Sequence, residues 1–128
     1  MSETVTEARP LEGARILLVE DSAIIALDLQ DTLQSAGAGE VVIVATPAQA
    51  LGHLSEGAGF ACAVLDLRLG RETSLPVAEA LADRRIPFLF VSGYGNGPQG
   101  ARFADRAVIA KPVDPLVLLA EIVRLLAR

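Results

Sequence analysis

Five short apolar runs, separated by segments with helical spacing, constrain the fold of this chain more than any other feature of its sequence. They lie at residues 15–19, 41–44, 61–65, 86–91 and 107–110. An uninterrupted apolar run of this length is typical of a strand buried on both faces, as in parallel sheets covered by helices. The alternation therefore predicts an α/β fold with a doubly wound, five-stranded parallel sheet.

Four helices are predicted between and after these strands, at about 23–36, 47–56, 75–83 and 115–127. Ser22 or Asp21 is placed to cap the first helix, and Asp114 to cap the last. Pro47 suits the first turn of the second helix. Along that second helix, the residues that we expect to face the core are Ala50, Leu51 and Leu54.

The last helix is apolar over most of its length, and its core-facing stripe is predicted from helical spacing. The stripe consists of Leu116, Leu119, Ile122, Val123 and Leu126. Leu118 and Leu125 then fall on a flank outside the stripe, either as part of a wide core contact or as a partner or dimer surface. A weak homodimer through this helix is one interpretation of that flank.

Size and composition exclude several classes of protein. The 128 residues suit one domain, at 15–128, after a flexible lead-in at 1–14. No apolar run approaches the roughly 20 residues that span a membrane, and residues 1–9 lack the apolar core of a signal peptide. A single cysteine, Cys62, excludes an internal disulfide and reads as a buried hydrophobe, which suits a cytoplasmic protein. The formal net charge of −5 argues against direct nucleic-acid binding.

Polar residues follow the predicted strands at the points where those strands end. Glu20 and Asp21 follow the first strand, Asp66 the third, Ser92 the fourth and Lys111 the fifth. The carboxyl ends of parallel strands meet at one edge of a sheet, where such folds bind ligands. Three carboxylates held together repel one another, and Mg²⁺, which prefers oxygen ligands, would remove the conflict.

The other two polar groups indicate the chemistry. A lysine and a hydroxyl suit the oxygens of a transferred phosphoryl group, and an aspartate carboxylate is a competent covalent acceptor. The residues therefore predict Mg²⁺-assisted phosphoryl transfer onto a carboxylate, with Asp66 as the acceptor because it follows a central strand.

Four motifs at these positions resemble those of the response-regulator receiver domains of two-component signalling, such as the chemotaxis receiver. They are Ile16-Leu17-Leu18-Val19-Glu20-Asp21-Ser22, Val64-Leu65-Asp66-Leu67, Phe90-Val91-Ser92-Gly93 and Ala110-Lys111-Pro112. The resemblance covers about residues 14–127 and implies a flavodoxin-like sheet in the order 2-1-3-4-5. It also implies that Asp66 is phosphorylated by a sensor histidine kinase or a histidine phosphotransfer protein.

The same resemblance implies roles for the other site residues. Asp21 would bind Mg²⁺ directly, Glu20 would act through water, and the backbone carbonyl of Arg68 would complete the metal ligands. Ser92 and Lys111 would contact phosphoryl oxygens. The peptide bond between Lys111 and Pro112 is expected to be cis, which is uncommon for an arbitrary bond to proline.

Part of the chain departs from the common receiver pattern. Val108 stands where an aromatic switch residue is often found, and Tyr94 instead places an aromatic ring two residues after Ser92. The run Phe90–Gly95 resembles a subgroup with a Phe-x-Thr/Ser-Gly-aromatic-Gly signature, found in alphaproteobacterial stand-alone receivers and in general-stress-response regulators. Residues 69–78 fit that subgroup too. Tyr94 is therefore a candidate switch residue or partner contact.

Residues 95–100 also spell Gly-x-Gly-x-x-Gly, the fingerprint of dinucleotide-binding loops. That fingerprint belongs after the first strand and before a long helix, whereas this stretch follows the fourth strand and leaves little room for a crossover helix. We therefore interpret the glycines as replacing the usual fourth helix. An irregular loop is predicted at 95–102, with any helix confined to about 100–106.

The function that these observations favour is a stand-alone phosphorylation switch rather than an enzyme with an external substrate. Its own chemistry would be limited to Mg²⁺-dependent self-phosphorylation and autodephosphorylation. Because no DNA-binding segment follows the domain, we expect output through contact with an unknown downstream protein. A pseudo-receiver that is never phosphorylated, or a receiver excised from a longer regulator or hybrid kinase, are the alternatives.

Overall fold

The computed structural model describes residues 10–57, 59–93 and 101–127, and these form one sheet with helices on both faces. The sheet strands are β1 (Arg15–Val19), β2 (Glu40–Val44), β3 (Cys62–Asp66), β6 (Phe88–Ser92) and β7 (Val108–Ala110). They are parallel and lie in the order β2-β1-β3-β6-β7. Two short strands, β4 (Arg68–Leu69) and β5 (Glu72–Thr73), form a separate antiparallel hairpin. With the hairpin set aside, the order is 2-1-3-4-5, so the predicted fold is confirmed.

Four α-helices connect and follow the strands. They are α1 (Ala23–Ser35), α2 (Pro47–Ser55), α3 (Leu75–Asp83) and α4 (Pro115–Leu126). Ser22 caps α1, because its hydroxyl accepts a hydrogen bond from the Ile25 amide at 3.3 Å. Asp114 caps α4 by accepting from the Leu116 amide at 2.9 Å. None of the helices in the described residues is long and apolar enough to cross a bilayer.

Alternate residues along each strand supply two separate apolar layers. One layer packs the sheet against α1 and α4 and includes Ile16, Leu18, Val64, Leu89, Leu118 and Ile122. The other packs it against α2 and α3 and includes Leu17, Leu65, Phe88, Phe90, Leu54 and Leu81. Because both faces are covered, the strands read as continuous apolar runs in the sequence, and the polar residues that end them are left at the edge of the sheet.

Two predictions about which residues face the core are wrong. Leu118 and Leu125 are buried, whereas Leu116 is 78% exposed and Val123 is 41% exposed. Leu51 on α2 is 36% exposed rather than buried. In α4 nearly every position is apolar, so helical spacing alone does not select a face, and packing against the sheet and α1 decides it instead.

The segment before β1 is packed from Leu11 onward, so the predicted lead-in extends too far. Leu11 is 1% exposed, and its amide donates to the Ala36 carbonyl at 2.9 Å. The Gly13 amide donates to the Gly37 carbonyl at 3.0 Å. Residues 1–9 lie outside the described residues.

Between β6 and β7, the described residues contain a 3₁₀ helix at Ala101–Phe103 and no α-helix. Phe103 is 2% exposed, and its ring lies 5.5 Å from the ring of Phe88 and 6.3 Å from that of Phe90. Residues 94–100, which hold Tyr94 and most of the predicted irregular loop, lie outside the described residues, so that prediction stands untested there.

Candidate functional site

Three carboxylates meet at the carboxyl end of the sheet. Glu20 and Asp21 follow β1, and Asp66 is the last residue of β3. One carboxylate oxygen from each lies within 4.8 Å of the others. Glu20 and Asp66 are only 2% and 5% exposed, while Asp21 is exposed. The predicted acidic cluster is therefore present, with two buried members and one open to solvent.

Lys111, the only lysine in the sequence, neutralises the two buried carboxylates. Its Nζ donates to Asp66 Oδ2 at 2.8 Å and to Glu20 Oε1 at 3.0 Å. The parallel register places it there, because Ser92 pairs with Ala110 and the Lys111 amide donates to the Ser92 carbonyl at 2.9 Å. The peptide bond from Lys111 to Pro112 is cis.

The second oxygen of each buried carboxylate accepts a hydrogen bond from a backbone amide. The Ser22 amide donates to Glu20 Oε2 at 3.1 Å, and the Arg68 amide donates to Asp66 Oδ1 at 3.3 Å. Arg68 begins the β4–β5 hairpin, which we did not predict from the sequence. The sequence signal for this hairpin is Gly70, which adopts a φ of +66° at the turn. The hairpin thus helps to orient the acidic cluster.

Burial and charge shift two ionisation equilibria in the site. Burial raises the pKa of the Glu20 carboxyl above its ordinary value of 4.5, and nearby Asp66 adds to the rise. Hydrogen bonds from the Ser22 amide and Lys111 oppose it. Burial alone would lower the pKa of Lys111, but its hydrogen bonds to Asp66 and Glu20 outweigh burial and raise that pKa above 10.5. The lysine therefore stays charged. Because carboxylates outnumber lysines in the site, electrostatic repulsion between the carboxylates remains.

A pocket of about 300 Å³ opens beside the carboxylate of Asp66. It is lined by Asp66, Arg68, Ser92, Gly93 and Lys111. Ser92 ends β6 and is 2% exposed, next to the strand that ends in Asp66. Four of the predicted site residues thus border one cavity. Tyr94 lies outside the described residues.

The donor set fits a hard divalent cation. Three carboxylates face one ammonium group, so negative charge is in excess, and their oxygens lie close enough to share one ion. Mg²⁺ binds through one or two carboxylates together with water and phosphate oxygens, and the exposed Asp21 leaves room for such ligands. Glu20, Asp21 and Asp66 are the residues that would hold it.

A protein of known function matches most of this chain in sequence. The sensor protein TorS of Escherichia coli K12 is 32% identical over 122 residues, which is 91% of this chain but 13% of TorS. The chain therefore spans about an eighth of that relative. No protein-family model matches the chain.

Solved structures cover nearly the whole chain. The solution structure of SdrG from Sphingomonas melonis Fr1 is 40% identical, covers 89% of this chain and 97% of SdrG, and superposes with a TM-score of 0.74. SdrG has also been solved in a BeF3-activated conformation. A response regulator receiver protein from Sinorhizobium medicae WSM419 is 29% identical over 91% of this chain and 97% of its own, with a TM-score of 0.77. Fold, acidic site and these likenesses together show that the chain belongs to the receiver domains of response regulators.

Proposed function

We propose that Asp66 accepts a phosphoryl group from a phosphohistidine of a sensor histidine kinase or a histidine phosphotransfer protein. The observation that carries the proposal is a buried aspartate, paired with a lysine, that opens onto a pocket of about 300 Å³. A carboxylate oxygen of Asp66 forms the new O–P bond as the P–N bond of the donor breaks. The imidazole nitrogen keeps the electron pair of that bond.

The surrounding residues suit this transfer. Lys111, at 2.8 Å from Asp66, would pair with the oxygens of the arriving group, and the Ser92 hydroxyl borders the same pocket. Both act on charge that spreads over the phosphoryl oxygens. Glu20, Asp21 and Asp66 would hold Mg²⁺, with the Arg68 carbonyl as a further ligand, and this ion would neutralise charge between the donor and the carboxylates.

Phosphorylation would also change the contacts of Lys111. The lysine now bridges Glu20 and Asp66, and a phosphoryl group carries more charge than the carboxylate it modifies. We infer that Lys111 follows the phosphoryl group, so that β7 and the segment from Ser92 to β7 shift between two populated arrangements. By likeness to the subgroup signature, Tyr94 would respond in that segment.

Output through a protein contact suits the surface of the domain. Exposed apolar side chains on α1 and α4, including Ile24 at 82% and Leu116 at 78%, combine with a net charge of −5 that disfavours nucleic acid. A weak homodimer through α4 is one form that the contact could take, and sedimentation with and without phosphodonor tests it. The match to part of TorS favours a second context, in which the domain belongs to a phosphorelay of a larger sensor protein.

Intact-mass measurement tests the proposed acceptor directly. With acetyl phosphate and Mg²⁺, the protein should gain the mass of one phosphoryl group, and EDTA should abolish the gain. Asp66→Asn should show none, whereas Asp28→Asn, which alters an exposed acid on α1, should behave as wild type. An adduct that persists in Asp66→Asn would refute Asp66 as the acceptor.

A second measurement separates this function from that of a pseudo-receiver. Beryllofluoride, which stands in for a phosphoryl group on a carboxylate, should change the amide NMR signals around Ser92 and Lys111 in the presence of Mg²⁺. A protein that gains neither the phosphoryl mass nor these changes would be an interaction module that is never phosphorylated. Such a module would keep its signalling activity in Asp66→Asn.

A further inference from the structure

A second pocket lies between the ends of α3 and α4 and the start of β6, away from the carboxylates. It has a volume of about 340 Å³ and is lined by Ala82, Arg85, Ile86, Pro87, Arg106 and Leu125. Four of these side chains are apolar and two are arginines, so the pocket has an apolar floor and a cationic rim. None of the proposed receiver chemistry uses these residues.

Arg85 occupies a backbone conformation that usually selects glycine. Its φ is +59°, which makes it the one non-glycine residue with positive φ in the described part of the chain. The Ile86 amide donates to the Leu81 carbonyl at 2.9 Å and the Arg85 amide to the Ala82 carbonyl at 3.0 Å, so the turn is a Schellman motif. A non-glycine residue at its left-handed position costs stability. An arginine held there at a pocket suggests a role other than folding.

Capping of α3 does not explain Arg85. An arginine near a helix carboxyl end can bond to the last carbonyls, and Arg84 does so, since its Nη1 donates to the Ala80 carbonyl at 3.3 Å. The other paired arginines meet carboxylates, as Arg15 meets Glu40 at 2.7 Å. In the residues that the structure describes, neither Arg85 nor Arg106 makes a side-chain hydrogen bond or an ion pair.

Arg106 is fixed by an aromatic ring rather than by a carboxylate. Its guanidinium carbon lies 4.3 Å from the centroid of the Phe88 ring. A cation–π contact of this kind uses no oxygen acceptor, so the five N–H donors of the guanidinium remain available to other partners. A neighbouring hollow of about 400 Å³ shares Arg106 and also contains Asp105, Glu121 and Arg124, of which Glu121 and Arg124 pair at 3.4 Å. Arg106 is therefore pre-positioned with unused donors.

We propose that this arginine pocket binds a carboxylate that carries an apolar group. The carboxylate would accept bonds from Arg85 and Arg106, and the apolar group would cover Ile86, Pro87 and Leu125. Such a ligand is available either as a free small acid or as an acidic side chain beside an aromatic one in a peptide. The pocket does not depend on phosphorylation of Asp66.

The test uses ¹⁵N NMR titration of the full chain, with N-acetylphenylalanine as the probe. The amide and guanidinium Nε–H signals of Arg85 and Arg106 should shift and saturate in roughly the millimolar range, typical of a weak fragment. Acetate lacks the apolar group and N-acetylphenylalaninamide lacks the charge, so both should bind at least roughly fivefold more weakly. A capped Ser-Asp-Phe-Ser peptide distinguishes a peptide ligand from a free acid.

Variants separate binding from folding. Arg85→Gly removes the guanidinium and also relieves the backbone strain, because glycine adopts positive φ freely. The melting temperature of this variant should therefore equal or exceed that of wild type, while its affinity for the probe falls roughly fivefold or more. Arg106→Gln should also lose affinity, and Arg71→Gln, on the hairpin, should not. Asp66→Asn should bind the probe as wild type does, even if it abolishes phosphorylation.

Three results would overturn the proposal. They are the absence of a saturable shift with both the free acid and the peptide, equal binding of the neutral amide, and full retention of probe binding by Arg85→Gly. If the peptide shifts these signals and the free acid does not, the ligand is a protein segment, and the reverse result indicates a small acid.

Discussion

Replacing Lys111 by methionine should make the stability of the domain depend strongly on divalent cations. Lys111 contacts two carboxylates, at 2.8 and 3.0 Å, whose side chains are only 7% and 1% exposed. At an effective dielectric constant of about 20, each contact has a gross attraction of roughly 6 kcal/mol. The net cost of removing one partner from a buried ionic group is smaller, about 3–5 kcal/mol, because the carboxylates left behind can protonate or rehydrate. That is a large share of the roughly 5–15 kcal/mol that stabilises a domain.

The sharper expectation concerns Mg²⁺, because lysine and metal compete for the same carboxylate oxygens. A cation present at tenfold its dissociation constant stabilises the folded state by about 1.4 kcal/mol. Lys111→Met should bind the cation more tightly than wild type, so a given concentration should stabilise the variant more. Urea unfolding at several Mg²⁺ concentrations measures both the affinity of each protein for the cation and the stabilisation that the cation causes. A matched variant, Arg124→Met, removes an exposed pair on α4 and should change stability by less than about 1 kcal/mol.

The pH dependence of the same pair of proteins provides an internal check. Lys111 has a raised pKa in the folded state, so its stabilisation is complete below 10.5 and is lost as pH rises through the raised value. The difference in the free energy of unfolding between wild type and Lys111→Met should therefore become smaller in strongly alkaline solution. It should also narrow as pH falls through the raised pKa of Glu20 toward 4.5, because a protonated carboxyl no longer needs the lysine. A deficit below about 1 kcal/mol at neutral pH, or equal stabilisation of both proteins by Mg²⁺, would refute this account of the site.

Three further substitutions test the packing of the domain by urea unfolding. Gly39→Ala would place a Cβ 2.9 Å from the backbone oxygen of Gly13 and should destabilise the fold by roughly 1–3 kcal/mol. Ser74→Ala should be neutral or stabilising by up to about 1 kcal/mol, because the buried Ser74 hydroxyl has no hydrogen-bond partner among the described residues. Phe103→Ala should cost about 3–5 kcal/mol, since it empties a buried site between two strand phenylalanines.

The glycine and serine substitutions each have a control within the chain. Gly52→Ala, on α2 with no atom within 4 Å of the new Cβ, should stabilise by about 0.5–1 kcal/mol through helix propensity. Ser22→Ala removes a working helix cap and should cost about 1 kcal/mol, in contrast to Ser74→Ala. Equal effects of Gly39→Ala and Gly52→Ala, or of the two serine changes, would contradict the steric and hydrogen-bond reasons given.

The strands and the position of the acidic cluster could be predicted from sequence because a single physical rule governs both. A strand buried on both faces must be apolar throughout, so the first polar residue marks its end, and parallel strands end at one edge. Asp66, Ser92 and Lys111 were located in this way. The pairing of Lys111 with both Glu20 and Asp66 could not be predicted in this way, because it depends on the geometry of the side chains at that edge of the sheet.

Other features are decided by tertiary packing and carry little local signal. In α4, Leu116 and Leu118 have the same local preference, and only the sheet beneath the helix determines that Leu118 is buried. The β4–β5 hairpin has two-residue strands, too short for any alternation to show. Leu11 follows a proline in a polar stretch, yet it packs against α1. Its neighbours in the sequence give no signal of this contact.

The lysine that completes the site directly follows the shortest strand of the sheet. β7 has three residues and pairs on one side only, with β6, while β3, which carries Asp66, is held on both sides. Glu20 and Lys111 are 91 residues apart, so a nascent chain exposes both buried acids before their counter-charge is synthesised. The docking of this edge strand and the neutralisation of the acids should therefore be one event, and a dissolved cation would stabilise a state in which the strand is detached.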